Sequence, residues 1–139
     1  MAEDLEKLYA QYREGDTQYR LAGGTEGCRK LADDFYDIME TLPEARKILF
    51  MHPNDLEVSR DKLALFLVGY MDGPPLFEEK YGPVALGAAH GHLPIGSNER
   101  DMWLLCMRKA LDKQDWPETF KDFMFMRFQT PANRIQNRP

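Results

Sequence analysis

The sequence predicts an all-α fold in one domain, and three observations support this prediction. Apolar residues recur at steps of three and four along several segments, which is the period of an amphipathic helix. No stretch shows the sustained two-residue alternation of a half-buried strand. Glycine and proline cluster at a few points between the apolar segments, where they end helices. The 139 residues, 43% of them hydrophobic, suffice for one core and leave no room for a second domain.

The first half of the chain contains a predicted short surface helix, over residues 3–13, and two long helices. Residues 29–41 carry apolar side chains on one face and acidic side chains on much of the remainder. Pro43 suits a first helical turn and opens a short helix through Phe50. The second long helix, over residues 56–71, ends where Asp-Gly-Pro-Pro follows at residues 72–75.

The second half begins with a predicted loop that contains short helical pieces and reaches Gly96. Ser97 is a suitable N-cap for a helix that continues to about Lys113. Asp115 and the proline two residues later predict the start of a last helix, whose buried face includes Phe128. From residue 131 to 139 we expect a frayed tail.

Charge and composition exclude several classes of function. The formal net charge of −5 provides no basic field for nucleic acid or an anionic membrane surface. No apolar run approaches the roughly 20 residues of a membrane-spanning helix, and the acidic N-terminus is unlike a signal peptide, so we expect a cytoplasmic protein. Cys28 and Cys106 lack the spacing of a zinc finger or a redox pair and are expected to be buried thiols.

Five residues could carry chemistry. His90 and His92 could share a metal ion on a strand, but they point roughly 200° apart on a helix. A single histidine that faces an apolar interior could be an axial ligand to haem iron, and the alternative is a hydrogen-bonded structural histidine. Tyr36, His52 and Trp103 lie on or beside different predicted helices, and each has a polar tip that needs a partner when buried.

Several short motifs follow one another in a characteristic order. They are FYDIM (35–39), MHPNDL (51–56), SRDKL (59–63), GYMDGP (69–74), EKYG (79–82), IG (95–96) and ERDMWLLCM (99–107). In order and spacing they resemble the group II truncated haemoglobins, the bacterial two-over-two globins, from about Gly23 to the end of the last helix. The resemblance implies a two-over-two helical sandwich that encloses haem b, with an N-terminal extension over 1–17, the globin domain over 18–130 and the tail over 131–139.

The resemblance also implies roles for individual residues. In the family the proximal histidine precedes the tryptophan of the ERDxW motif by 13 positions, which selects His90 rather than His92 as the iron ligand. The distal, ligand-binding side would be formed by Tyr36, His52 and Trp103 with Ser59 and Leu63, where Ser59 replaces the distal histidine of many globins. The implied haem contacts are Lys62, a partner for a propionate, and Leu63, Phe66, Leu67, Leu93, Ile95, Trp103 and Met107.

The chain departs from the family pattern on both sides of His90. Family members usually carry arginines just before this position, one of them available to a propionate, whereas residues 86–89 are Leu-Gly-Ala-Ala. We hypothesise that His92 substitutes for the lost anion contact. The Pro-Phe pair usual after the proximal histidine is replaced by His92-Leu93-Pro94, so Leu93 is expected to pack where an aromatic ring normally lies.

The expected function follows from the donor-rich distal side. Bound O2 carries partial negative charge, so hydrogen bonds would slow its release and would also suit redox chemistry on O2, NO or peroxide, of NO dioxygenase-like or peroxidase-like type. The expected partners are O2, NO, CO and a reductase, and the sequence leaves monomer and homodimer open. Two alternatives are a cofactor-free helical interaction module and a metal enzyme that uses His52, His90 and His92.

Overall fold

The computed structural model describes residues 2–139, apart from the side chains at positions 2, 88 and 89. All regular elements in this range are helical. A single 3-10 turn, Pro43–Ala45, precedes the fourth helix. The α-helices are α1 (Ala2–Tyr12), α2 (Thr17–Leu21), α3 (Gly24–Thr41), α4 (Arg46–Leu49), α5 (Glu57–Tyr70), α6 (Leu76–Tyr81), α7 (Leu86–His90), α8 (Ser97–Asp112) and α9 (Glu118–Ile135).

Four long helices build the core. Helix α3 packs against α5 and α8, and α8 packs against α9, so that two helix pairs face each other. Their apolar stripes meet in the interior, as the three- and four-residue spacing predicted. The largest side chains that are wholly inaccessible come from all four helices: Leu31, Phe35, Met39, Leu67, Met107, Leu111, Phe120, Phe123, Met124 and Phe128.

Charged side chains fix α5 against α3. Arg60, only 14% exposed, donates to the carboxylates of Asp37 and Glu40, both at 2.8 Å. Its other terminal nitrogen donates to the Asp33 backbone carbonyl at 3.0 Å and to the Asp33 carboxylate at 3.3 Å. One guanidinium thus binds three successive turns of α3, which sets the axial position of the two helices relative to each other.

The last helix is longer than the sequence predicted, and the frayed tail expected from residue 131 is wrong for most of its length. Helix α9 continues to Ile135, and Pro131 lies inside it and is buried. Proline lacks the N–H that would bond to the carbonyl of Arg127, four residues earlier. The Tyr70 hydroxyl donates to that carbonyl instead, at 2.6 Å. Because the orphaned acceptor has a partner, the helix passes through the proline.

The N-terminal helix and the cysteines also belong to the core. Tyr12 of α1 is 6% exposed, and its ring packs edge-on against Phe120 at 5.2 Å. Cys28 and Cys106 are free and fully buried, as expected. Burial raises the pKa of the Cys28 thiol to about 12 and that of Cys106 to about 11. Between residues 2 and 139, no helix is sufficiently long and apolar to cross a membrane.

Candidate functional site

A cavity of about 320 Å³ lies between the long helices and the short helices α4 and α7. Its wall is mostly apolar, with a few polar side chains. Ten of the residues singled out in the sequence contribute to it: Tyr36, His52, Ser59, Lys62, Leu63, Phe66, His90, Leu93, Ile95 and Trp103. The fold therefore brings together residues that are far apart in the chain.

Three predicted residues do not reach the cavity surface. Leu67 and Met107 are fully buried, and the structure places them in the core instead of the cavity lining. Leu67 follows Phe66 by about 100° around α5, and its side chain packs in the core with the other apolar residues of that face. His92 is exposed in the turn after α7 and lies outside the lining, and its contact with a propionate stays a prediction.

The sequence analysis missed part of the wall. Pro131 and Ile135 line the cavity from the end of α9, the segment expected to be frayed. They continue the stripe of Phe128 at steps of three and four residues, a signal that the proline obscured. The remaining missed residues come from α4 and the turn after it, from α6 and α8, and from the start of α7 and the segment before it: Ile48, Met51, Phe77, Val84, Ala85, Leu86 and Glu99.

His90 is oriented by its own helix. Its Nδ1 lies 2.8 Å from the backbone carbonyl oxygen of Leu86, four residues earlier. Because a carbonyl can only accept, the neutral ring carries its proton on Nδ1 and keeps the lone pair on Nε2. An imidazole fixed in this way is the usual form of a histidine that binds a metal ion.

His52 has the same arrangement after α4. Its Nδ1 donates to the Ile48 carbonyl at 2.8 Å, and its ring lies 5.5 Å from that of Tyr36, nearly perpendicular to it. Burial lowers the pKa of His52 below its ordinary value, the bond to Ile48 opposes this, and the nearby His90 lowers it further. His52 is therefore neutral near pH 7, with Nε2 as its free ring nitrogen.

Tyr36 and Trp103 present hydrogen-bond donors to the cavity. Both pack against Phe35, with ring centroids at 5.0 and 5.4 Å. Burial raises the pKa of Tyr36, partly opposed by the charge of Arg60, so its hydroxyl stays protonated. Among residues 2–139, none accepts a hydrogen bond from the Tyr36 hydroxyl or the Trp103 indole N–H, and both side chains line the cavity. Two donors are thus available to a ligand.

Lys62 provides a cation at the edge of the cavity. It is exposed, and its Nζ lies 5.2 Å from the centre of the Tyr81 ring. The neighbouring carboxylate of Asp61 already accepts from Lys80 and Tyr81, at 2.7 and 2.5 Å. Lys62 has no ion pair within the described part of the chain and is free to meet an anion.

These residues fit haem. The apolar wall suits the porphyrin, the free Nε2 of His90 suits an axial position of iron, and Lys62 suits a propionate. In the described range, no group of three or more His, Cys, Asp or Glu side chains could hold a metal ion, which is what the metal-enzyme alternative requires. Fold and site together define a helical protein with a haem-binding cavity.

Comparison with known proteins gives the same class. The family model of the bacterial-like globins matches residues 17–137. A group 2 truncated haemoglobin of Bacillus subtilis, YjbI, is 33% identical over 114 residues, 82% of this chain and 84% of its own. The group II 2-on-2 haemoglobin of Agrobacterium tumefaciens has a TM-score of 0.83 at 38% identity, covering 88% and 95% of the two chains.

A further solved structure, the truncated oxygen-avid haemoglobin from Bacillus subtilis, has a TM-score of 0.76 at 33% identity and covers 86% of this chain and 98% of its own. The chain therefore belongs to the bacterial-like globin family as a group II truncated haemoglobin. The predicted family and the predicted two-over-two fold are both confirmed. Membership implies haem-based binding of a small diatomic ligand such as O2.

Proposed function

We propose that this protein binds haem b in the cavity with His90 as axial ligand, retains O2, and reduces or transforms bound O2, NO or peroxide. The observation that carries the proposal is the pair of unpartnered donors, Tyr36 and Trp103, on the same cavity as the free Nε2 of His90. Haem, when bound, supplies an iron atom with an open axial position for O2, NO or CO.

The distal donors determine how long a ligand stays. A hydroxyl and an indole N–H in an apolar cavity hydrogen-bond to the partial negative charge on a diatomic ligand. If each bond contributes about 1–1.5 kcal/mol, two of them slow dissociation by roughly 30- to 150-fold. Retention on this scale suits storage or chemistry better than delivery. The Bacillus subtilis relative is oxygen-avid.

The same donors support the redox part of the proposal. Electron addition to O2, NO or peroxide increases negative charge on oxygen, and fixed donors in a mostly apolar cavity stabilise that charge. His52, neutral and next to Tyr36, is the third polar side chain on this side. The electrons would come from a reductase. The activity would be of NO dioxygenase-like or peroxidase-like type.

The remaining roles concern haem retention. We assign Lys62 to a haem propionate, because it is an exposed cation at the edge of the cavity without an ion pair in the described residues. Leu63, Phe66, Leu93 and Ile95 would contact the porphyrin, since all four line the cavity. Ser59 lines it as well, and its small side chain leaves the approach to the distal side unobstructed.

Visible absorption spectra test the proposal directly. The purified protein is mixed with equimolar haem and measured as the ferric, dithionite-reduced and CO-bound forms. We expect a sharp Soret band that shifts on reduction and again on CO binding. Spectra indistinguishable from those of free haem would contradict axial ligation by His90. In that case the cofactor-free interaction module becomes the better hypothesis.

A further inference from the structure

The C-terminal end of the chain closes over the segment that follows His90. The side-chain oxygen of Asn137 accepts the Ile95 backbone N–H at 3.0 Å. Its side-chain nitrogen donates to the carbonyls of Leu93, at 2.8 Å, and His90, at 3.3 Å. The backbone N–H groups of Asn137 and Arg138 donate to the Ile95 carbonyl, at 2.7 and 2.9 Å. The tail therefore forms hydrogen bonds with both the backbone N–H and the backbone carbonyl of Ile95.

Gly96 supplies a second, independent observation of this closure. A Cβ at Gly96 would lie 2.9 Å from the Pro139 carbonyl oxygen and 3.6 Å from the Cβ of Arg138. Only a residue without a side chain allows so close an approach of two backbone segments. The last residues of the chain are thus packed directly on the turn that leads from His90 into α8.

The tail is itself held in place from α8. Arg100 donates to the side-chain oxygen of Asn133 at 3.3 Å and to that of Gln136 at 3.0 Å. These bonds lie on either side of the end of α9, so Asn137 emerges from an anchored helix terminus. Its amide therefore presents two donors and an acceptor to the opposite backbone from a fixed position.

Helix α7 needs such support because it is very short. It has five residues, Leu86–His90, whereas isolated helices shorter than about 12–15 residues are marginal in water. Its orientation must come from tertiary contacts. The bond from Asn137 ends on the carbonyl of His90 itself, the residue that carries the imidazole.

We infer that Asn137 is a positioning residue for the His90 imidazole, acting through the backbone of residues 90–95. The inference rests on the proposed function, since it assumes that His90 binds the haem iron. An amide is required at position 137. A carboxylate would place negative charge against the carbonyl oxygens of His90 and Leu93, and an alanine would leave three backbone groups without this partner.

The test compares Asn137→Ala and Asn137→Asp with Gln129→Ala, a control on α9 whose side-chain amide donates within its own helix, to the Phe125 carbonyl at 3.2 Å. Haem loss to an acceptor apoprotein is expected to be about two- to tenfold faster in both Asn137 variants, the scale of one net hydrogen bond. The iron–histidine stretching band of the ferrous protein, measured by resonance Raman, should shift or broaden in those variants alone.

An unchanged band and haem-loss rate in Asn137→Ala would overturn the inference, as would an equal effect in Gln129→Ala. If the Asn137 variants do not fold, the exchange rate of the Ile95 amide hydrogen is measured in the unsubstituted, CO-bound protein. A protected amide supports the inference, and an unprotected amide overturns it. A wild-type spectrum without histidine ligation overturns the proposed function and this inference together. A normal wild-type spectrum with an unaffected Asn137→Ala overturns the inference alone.

Discussion

Helices of two kinds supply the polar side chains of the cavity. Tyr36 and Trp103 lie in the middle of α3 and α8, helices of 18 and 16 residues whose other faces form the core. His90 is the last residue of α7, and His52 lies in the turn after α4; these helices have five and four residues. On the long helices, core packing fixes each side chain. On the short ones, a carbonyl four residues earlier fixes each imidazole, at 2.8 Å in both cases.

This difference shows what fixes the position of each side chain in the site. A long helix sets the position of a side chain through many small apolar contacts, so the loss of one contact moves it little. A short helix depends on a few directional hydrogen bonds, so the loss of one changes the orientation of the imidazole that it carries. We therefore expect substitutions on the short helices to change haem binding and those on the long helices to change ligand kinetics.

The largest effect is expected from His90→Gly, which removes the proposed axial ligand. Haem affinity should fall by more than the roughly 100-fold that follows loss of a hydrogen-bonding partner of a metal ligand. Added imidazole should restore a histidine-ligated spectrum by occupying the space that the side chain leaves. The measurement is a haem titration followed at the Soret band. His92→Ala is the control and should weaken haem binding only slightly, because His92 lies outside the cavity lining. A larger loss of haem affinity in His92→Ala than in His90→Gly would show that the ligand assignment is wrong.

On the long helices, Tyr36→Phe and Trp103→Phe should each speed O2 dissociation by about 5- to 13-fold, the loss of one hydrogen bond of 1–1.5 kcal/mol. Haem affinity should change little, since Tyr36→Phe keeps the ring that packs against Phe35 and Trp103→Phe keeps a smaller aromatic ring there. Displacement of O2 by excess CO in a stopped-flow instrument gives the rate. Unchanged rates in both variants would contradict retention by these donors.

A smaller effect on stability is expected from Arg60→Met. The substitution removes the bonds to three turns of α3 and leaves Asp33, Asp37 and Glu40 without their shared cation. Urea unfolding of the haem-free protein should show a loss of about 1–2 kcal/mol. Arg20→Met breaks an exposed pair with Asp16 and should change stability by less than about 0.5 kcal/mol. Equal losses in the two variants would show that the α3–α5 contact does not depend on Arg60.

The smallest expected effect is the contribution of His52 to the pH dependence of stability. Burial lowers the folded-state pKa of this imidazole below its unfolded value of about 6.5. The unfolded state therefore binds a proton first as the pH falls, so stability is retained above about pH 6.5 and declines below it until the folded-state pKa is passed. His52→Gln should flatten this decline in urea unfolding of the haem-free protein between pH 7 and 5. Parallel curves for the two proteins would contradict a buried, neutral His52.

The same division between long and short helices explains what the sequence could predict. Helix α5 was expected over 56–71 and is observed at Glu57–Tyr70, because a long apolar stripe defines both its face and its ends. The family motifs led to His90 and Trp103, and both line the cavity. Their roles as ligand and donor stay predictions. Leu67 was assigned to the cavity wrongly, since a resemblance identifies a helix more reliably than the rotation of each side chain.

The tail was mispredicted for a physical reason that lies elsewhere in the chain. Pro131 reads as a helix breaker from its local sequence, and the hydroxyl that compensates for it belongs to Tyr70, more than 50 residues earlier. The bonds of Asn137 to residues 90–95 are equally remote. Neither contact leaves a signal in the sequence, so the three- and four-residue spacing of Phe128, Pro131 and Ile135 is the only local pointer to these cavity residues, and the proline obscures it.

The two buried cysteines have a consequence for a protein proposed to handle oxidants. Burial raises the pKa values of Cys28 and Cys106 to about 12 and 11, so almost no thiolate is present at neutral pH, and the thiolate is the form that attacks peroxide. Sulfenic acid formation is therefore suppressed at both positions. Repeated exposure to peroxide is expected to leave these two thiols unmodified, in contrast to an exposed thioether such as that of Met126.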